Sequence, residues 1–192
     1  ADAMPLEHSS TLTINLTAVN DAPEFTMPAT TGTSEDSGDV VVDNFLTDLR
    51  PGPTQATDEA TGPALAFEDQ QTSYTVTALD PTLFAVQPAI AGTADANPGQ
   101  LTYTLAADVN TITPFPEILV EVVAVDTGAT GGANMDVNTS APQTFTILPT
   151  PINDAPEFEI PVETDSLEDE GVITVAGFLT DLRPGPVTAL DE

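Results

Sequence analysis

Asn20-Asp21-Ala22-Pro23-Glu24-Phe25 returns as Asn153-Asp154-Ala155-Pro156-Glu157-Phe158, an interval of 133 positions. The same interval carries Glu35-Asp36 to Glu168-Asp169, and the run from Phe45 to Pro53 onto the run from Phe178 to Pro186. It also carries Asp58-Glu59 to Asp191-Glu192. Across 20–59 and 153–192 about 24 of 40 positions are identical, which chance does not produce. The expected organisation is a terminal strand of a preceding repeat at 1–19, one complete repeat at 20–152, and the first strands of the next at 153–192. Residues 153–192 supply too few strands to bury a core alone. The chain therefore reads as a window on a longer repetitive protein.

Local signals within the repeat point to an all-β fold. Hydrophobic residues make up 40 %, enough for a packed interior, but aromatics are only 5 % and Trp is absent. The core must come from Val, Leu, Ile, Ala and a few Phe. Thr and Val favour strands, and 18 Pro and 12 Gly punctuate the chain as turns would. Thr11–Ala18 alternates with period two, and so does its counterpart Gln143–Thr150. Further strands are expected at Val40–Phe45, Ala64–Glu68, Ser73–Ala78, Leu83–Gln87, Leu101–Leu105 and Ile118–Val125. No segment has helical periodicity. Short strands at this spacing predict a Greek-key β-sandwich.

Charge narrows the partners. The chain holds 31 acidic residues against 2 basic ones, a net charge of −29. Nucleic acid is excluded, because phosphate contacts need Lys and Arg, and an anionic membrane surface for the same reason. No apolar run is long enough to span a bilayer. Self-repulsion of this size destabilises a compact state unless counter-ions relieve it. Hard divalent cations, which take carboxylate and carbonyl oxygens, suit that role. The absence of Cys removes disulfides and thiolate metal sites. Arg50 and Arg183 occupy the same position in successive repeats, which suggests a carboxylate anchor or packing over a turn.

Ala18-Val19-Asn20-Asp21-Ala22-Pro23-Glu24-Phe25 resembles the linker of cadherin repeats. The whole unit resembles the cadherin-like tandem repeats of very large bacterial surface and adhesin proteins. Leu83-Phe84-Ala85-Val86-Gln87-Pro88-Ala89-Ile90 and Leu101-Thr102-Tyr103-Thr104 match further segments of that pattern. The resemblance implies cadherin-like, Ig-like sandwiches joined end to end, with Ca2+ at the junctions. Carried over position by position, it implies ligands at Asn20 and Asp21, and at Asn153 and Asp154. Glu35 and Glu168 match an early Glu ligand. Asp58 and Asp191 match part of an Asp-Ala-Asp region, and Asp126 matches the late Ala-x-Asp-x-Gly strand end. Asp136, Glu68 and Asp69 are further acidic loop residues. The Asp-Arg-Glu motif of true cadherins is absent. Ala18, Val19, Pro151 and Ile152 stand where a linker acid would be, which implies fewer ions per junction.

Other chemistry has little support. His8 is the sole histidine and its counterpart in the full repeat is Ala141. Paired carboxylates can hydrolyse glycosides, but such clefts carry stacking aromatics, and here there are 2 Tyr and no Trp. Asn15-Leu16-Thr17 and Asn138-Thr139-Ser140 are glycosylation sequons. The expectation is a non-enzymatic, calcium-rigidified repeat of an extracellular bacterial fibre or cell-surface protein. Its partners are then neighbouring repeats or identical chains. The alternatives are an adhesin module binding a surface glycan or protein, and separate subunits polymerising head to tail.

Overall fold

The structure is a computed structural model that describes residues 8–15, 19–56, 72–93, 96–110, 117–128, 130, 131 and 136–189. Among these the chain is nearly all strand, with no α-helix. In order the strands are β1 (Glu24–Thr26), β2 (Thr30–Ser34), β3 (Asp39–Val42), β4 (Thr47–Arg50) and β5 (Thr72–Ala78). A 3-10 turn at Pro81–Leu83 leads into β6 (Phe84–Thr93), and β7 (Ala96–Leu105), β8 (Ile118–Asp126) and β9 (Gln143–Thr150) follow. Two short strands, β10 (Glu157–Glu159) and β11 (Thr180–Arg183), lie beyond the second Asn-Asp motif.

A four-stranded sheet has the order β2-β9-β8-β5, and a three-stranded sheet the order β3-β7-β6. Their inward residues form one hydrophobic core, as in a β-sandwich. The pattern is sharpest in β8, where Ile118, Val120, Val122 and Ala124 are buried and the residues between them are half-exposed. From β9 come Phe145 and Ile147, and from β7 come Leu101, Tyr103 and Leu105. Each such side chain contributes about 1.5–3 kcal/mol on burial. β2 runs parallel to β9, with Ser34 opposite Thr150. All other pairings are antiparallel.

Several strand expectations need correction. Residues 11–15 form no strand, and Leu12 and Ile14 are 83 % and 72 % exposed. The counterpart β9 is held between β8 and β2, whereas 11–15 has no strand beside it among the described residues. β3 stops at Val42, because Asn44 turns the chain at φ 53°. Phe45 leaves the strand and packs on Phe145 at 4.6 Å between ring centroids. β6 extends past Pro88 because it is an edge strand whose register shifts between Val86 and Ala89, where a missing N–H is tolerated. Ala64–Glu68 lies outside the described residues.

Part of the backbone recurs in the two copies of the sequence motif, although 163–167 and 172–175, the counterparts of β2 and β3, form no strand. β1 pairs with β4 through Glu24 opposite Arg50, and β10 with β11 through Glu157 opposite Arg183. Arg50 NH2 lies 2.5 Å from the Glu24 carboxylate, and Arg183 NH2 lies 2.6 Å from that of Glu157. Both pairs are partly solvated, so each contributes on the order of 1 kcal/mol or less. Left-handed residues recur in register too: Asp36 and Asp169, Gly38 and Gly171, Asn44 and Gly177, Asp48 and Asp181. Asp, Asn and Gly are the residues that tolerate this region.

Tyr103 is almost fully buried, and its hydroxyl finds no hydrogen-bond partner. Burial raises the phenol to about 12, and raises Tyr74 equally. The raised folded-state value stabilises the fold below pH 10, and that contribution is lost as pH climbs from about 10 through 12. Tyr103→Phe removes an unsatisfied polar group, so it is expected to melt at or above the parent temperature at pH 8. It should also lose part of the alkaline sensitivity. Thermal melts at pH 8 and pH 11 check this, and a clear destabilisation at pH 8 contradicts it.

Candidate metal sites

The sandwich has two poles, and acidic residues gather at both. At the first, Asp126 ends β8 and is buried. Its Oδ1 accepts hydrogen bonds from Gly128 N at 2.6 Å and Asn20 Nδ2 at 3.3 Å. Its Oδ2 is buried and accepts none. Asn20 N donates to Asp136 Oδ1 at 3.0 Å, and Asn20 Nδ2 also donates to the Val137 carbonyl at 2.7 Å. The glycine of Ala-x-Asp-x-Gly has a steric reason here. A Cβ on Gly128 would sit 1.8 Å from Asn20 Oδ1. The structure thus brings Asn20, Asp126 and Asp136 together. Asp21 is exposed beside them, and Asp58 lies outside the described residues.

The second pole lies where β2 and β9 end. Glu35 follows β2 and continues its pairing, donating its N–H to the Thr150 carbonyl at 3.0 Å. Its side chain is wholly buried. A buried carboxylate is tolerated only with hydrogen-bond donors around it. Asn110 Nδ2 donates to Oε2 at 2.9 Å, and the backbone N–H of Ile152 donates to Oε1. Glu35 thereby clasps the loop after β7 and the linker after β9.

Three carboxylates converge beside this clasp. Oxygens of Asp36, Asp108 and Asp154 all lie within 4.8 Å of one another. Asp36 is exposed, Asp108 buried and Asp154 half-buried. Asp36 and Asp108 both adopt left-handed backbone, at φ 53° and 58°. The Asp108 N–H donates to Asp36 Oδ1 at 3.2 Å, and the Thr188 hydroxyl donates to Asp108 Oδ2. Oxygen-only donors at this spacing can hold a metal ion, and the residues fit a hard cation.

Of the remaining residues named from the motif, Asn153 is exposed and donates its side-chain amide to the Asp154 carbonyl at 2.7 Å. This bond ties two adjacent residues of the linker together. Glu168, the counterpart of Glu35, is exposed, and no described residue stands beside it as Asn110 does beside Glu35. Asp191 lies outside the described residues. Sequence reasoning missed Asp36, Asp108 and Asn110. The signal was present, since Asp36 follows the repeated Glu and Asp108-Val109-Asn110 is an Asp-x-Asn turn directly after a strand.

No protein-family model, curated protein or solved structure matches this chain.

Glu35→Ala would strip the Asn110 amide and the Ile152 N–H of their acceptor. A loss of about 3 kcal/mol is expected, with Glu35→Gln costing less because one acceptor oxygen remains. Urea unfolding at unchanged m-value checks both, and equal stability of Glu35→Ala and the parent would remove the clasp.

Proposed function

We propose that this chain is part of a non-catalytic tandem-repeat protein of a bacterial surface or extracellular fibre, built of cadherin-like sandwiches joined end to end and stiffened by calcium at the junctions. The observation that carries this reading is the convergence of Asp36 and Asp108 from one unit with Asp154 from the linker that leaves it. A cation held by both would restrict the linker, and a string of restricted linkers makes a rod.

Strand order supports the Greek-key part of the reading. The order β3-β7-β6 corresponds to B-E-D of an immunoglobulin-like sandwich, and β9-β8-β5 to G-F-C. β2 then takes the place of a first strand that crosses over to lie parallel to the last. The duplicated β1–β4 and β10–β11 pairs support a repeat with the boundaries 20–152 and 153 onward.

Calcium fits better than magnesium or zinc on chemical grounds. The donors are carboxylates, spread over two loops and a linker, and calcium tolerates irregular oxygen shells. Magnesium demands a tighter octahedron and gives up water reluctantly. Zinc prefers Cys and His, and Cys is absent. At the first pole the buried Oδ2 of Asp126 supports a second ion held with Asn20 and Asp136. The clasp residues Glu35 and Asn110 position the carboxylates, and calcium itself supplies only charge neutralisation and bridging.

Melting in millimolar CaCl2 should exceed melting in EDTA by about 5–10 °C if the ion reaches about 100 times its Kd. An equal concentration of MgCl2 should give a smaller shift. The double variant Asp108→Asn, Asp154→Asn should lose most of it. Superimposable melts in CaCl2 and EDTA would sink the calcium reading.

A further inference from the structure

Asp36 and Asp108 belong to one unit and Asp154 to the linker segment that opens the next, so these three hold the linker and not the body of the unit that follows. Ala155 and Pro156, next in the chain, are exposed, and so is every residue from Phe158 to Leu182. In the following segment Ala189 is buried where its counterpart Ala56 is half-buried, whereas Gly185 is buried just as Gly52 is in the first copy. Ala189 follows Thr188, whose hydroxyl donates to Asp108 Oδ2. The turn is closed internally by Ala189 N to the Pro186 carbonyl at 3.1 Å. It is preformed: the same turn closes in the first copy through Ala56 N and the Pro53 carbonyl at 2.9 Å.

We propose that the turn at 184–189 is a docking element that seats the second unit directly on the acidic pole of the first, with Thr188 as its positioning residue. The small Ala189 beside Thr188 lets the backbone approach the pole, and the prolines hold the turn in shape at little entropic cost. A hydroxyl donating to a carboxylate is a charge-assisted bond, stronger than a neutral one. The occupant of the pole is thus fixed by chemistry: a neutral hydrogen-bond donor on a rigid turn, approaching a group of carboxylates that repel anything acidic. Gln55 stands at the Thr188 position in the first copy. It keeps a donor on a longer side chain.

The docking also couples to the cation, a step that rests on the calcium reading. Asp108 Oδ2 serves Thr188 and belongs to the carboxylate cluster, so an ion there is linked to a group that the second unit holds. By reciprocity, if the ion tightens the turn, the turn tightens the ion.

Hydrogen exchange of the 192-residue chain in EDTA and in CaCl2 separates these elements. In EDTA, compared with the exposed amides of 161–180, the Ala189 amide and its neighbours in 185–189 that carry an amide hydrogen should exchange more slowly. Thr188→Val, which keeps the shape and removes the donor, should speed their exchange about tenfold while β8 and β9 stay unchanged. Thr188→Ser should restore the protection. In CaCl2 the parent should gain further protection, and calorimetric titration should show weaker calcium binding by Thr188→Val than by Thr188→Ser. Unchanged exchange in Thr188→Val overturns the docking role, as does protection that exists only in CaCl2. Protection in EDTA with no calcium bound at millimolar concentration leaves the docking intact and removes the calcium reading instead.

Discussion

The buried carboxylate of Glu35 is the interaction on which the second pole depends. It is wholly inaccessible to water, and an ionised group there is stable only while its donors stay in place. Those donors come from the loop after β7 and the linker after β9. Each carboxylate of the neighbouring cluster sits one or two residues from a clasped position. Asp36 follows Glu35, Asp108 precedes Asn110 by two, and Asp154 follows Ile152 by two. The cluster is therefore a geometric consequence of the clasp. Three like charges would otherwise drift apart, and the hydrogen bond from the Asp108 N–H to Asp36 alone would not hold them.

Comparison of the two sequence copies separates local from tertiary causes. The paired strands, the Arg–Glu pair and the left-handed turns recur in both copies. They need only residues that lie within the repeated segment itself, up to 26 positions apart. Burial does not recur: Phe25 is 6 % exposed and Phe158 55 %, Phe45 2 % and Phe178 46 %. In the first copy those rings meet Tyr74 and Phe145, side chains supplied by β5 and β9. Glu35 and Glu168 differ for the same reason, since the donors that clasp Glu35 come from beyond β7 and β9. Identical sequence fixes the hairpin-like shape, and distant strands fix the core and the clasp.

This division also decides what could be read in advance. β5, β7, β8 and β9 have enough alternating positions to declare both the strand and its inward face. β1 and β4 are too short to show any period. Thr11–Ala18 shows the period, yet 11–15 forms no strand, because alternation states which face would be buried and not whether a neighbour is present. At the poles, Asn20, Asp126, Glu35 and Asp154 were legible through motif spacing. Asp108 and Asn110 were not, since an Asp-x-Asn turn is common in acidic loops. Its meaning appears only when the left-handed Asp108 is set beside the equally left-handed Asp36.

Electrostatics then constrains how the poles can be neutralised. The chain has two basic residues against 31 acidic ones. Both guanidinium groups are engaged within their own copies, Arg50 with Glu24 and Arg183 with Glu157. They stabilise strand pairs and leave no Lys or Arg to face Asp36, Asp108 and Asp154. Like charges a few ångströms apart repel even near a protein surface, where the effective dielectric is about 20. Hydrogen bonds from the Asp108 N–H and the Thr188 hydroxyl soften this repulsion without adding positive charge. The compensating charge must therefore come from solution. A monovalent salt atmosphere screens over about 10 Å at 0.1 M and does little for oxygens within 4.8 Å of one another. A divalent ion seated among them acts at the distance where the repulsion is largest. The shortage of internal cations that makes the chain so acidic is thus what would leave this role at the Asp36, Asp108 and Asp154 cluster to a hard cation, as proposed above.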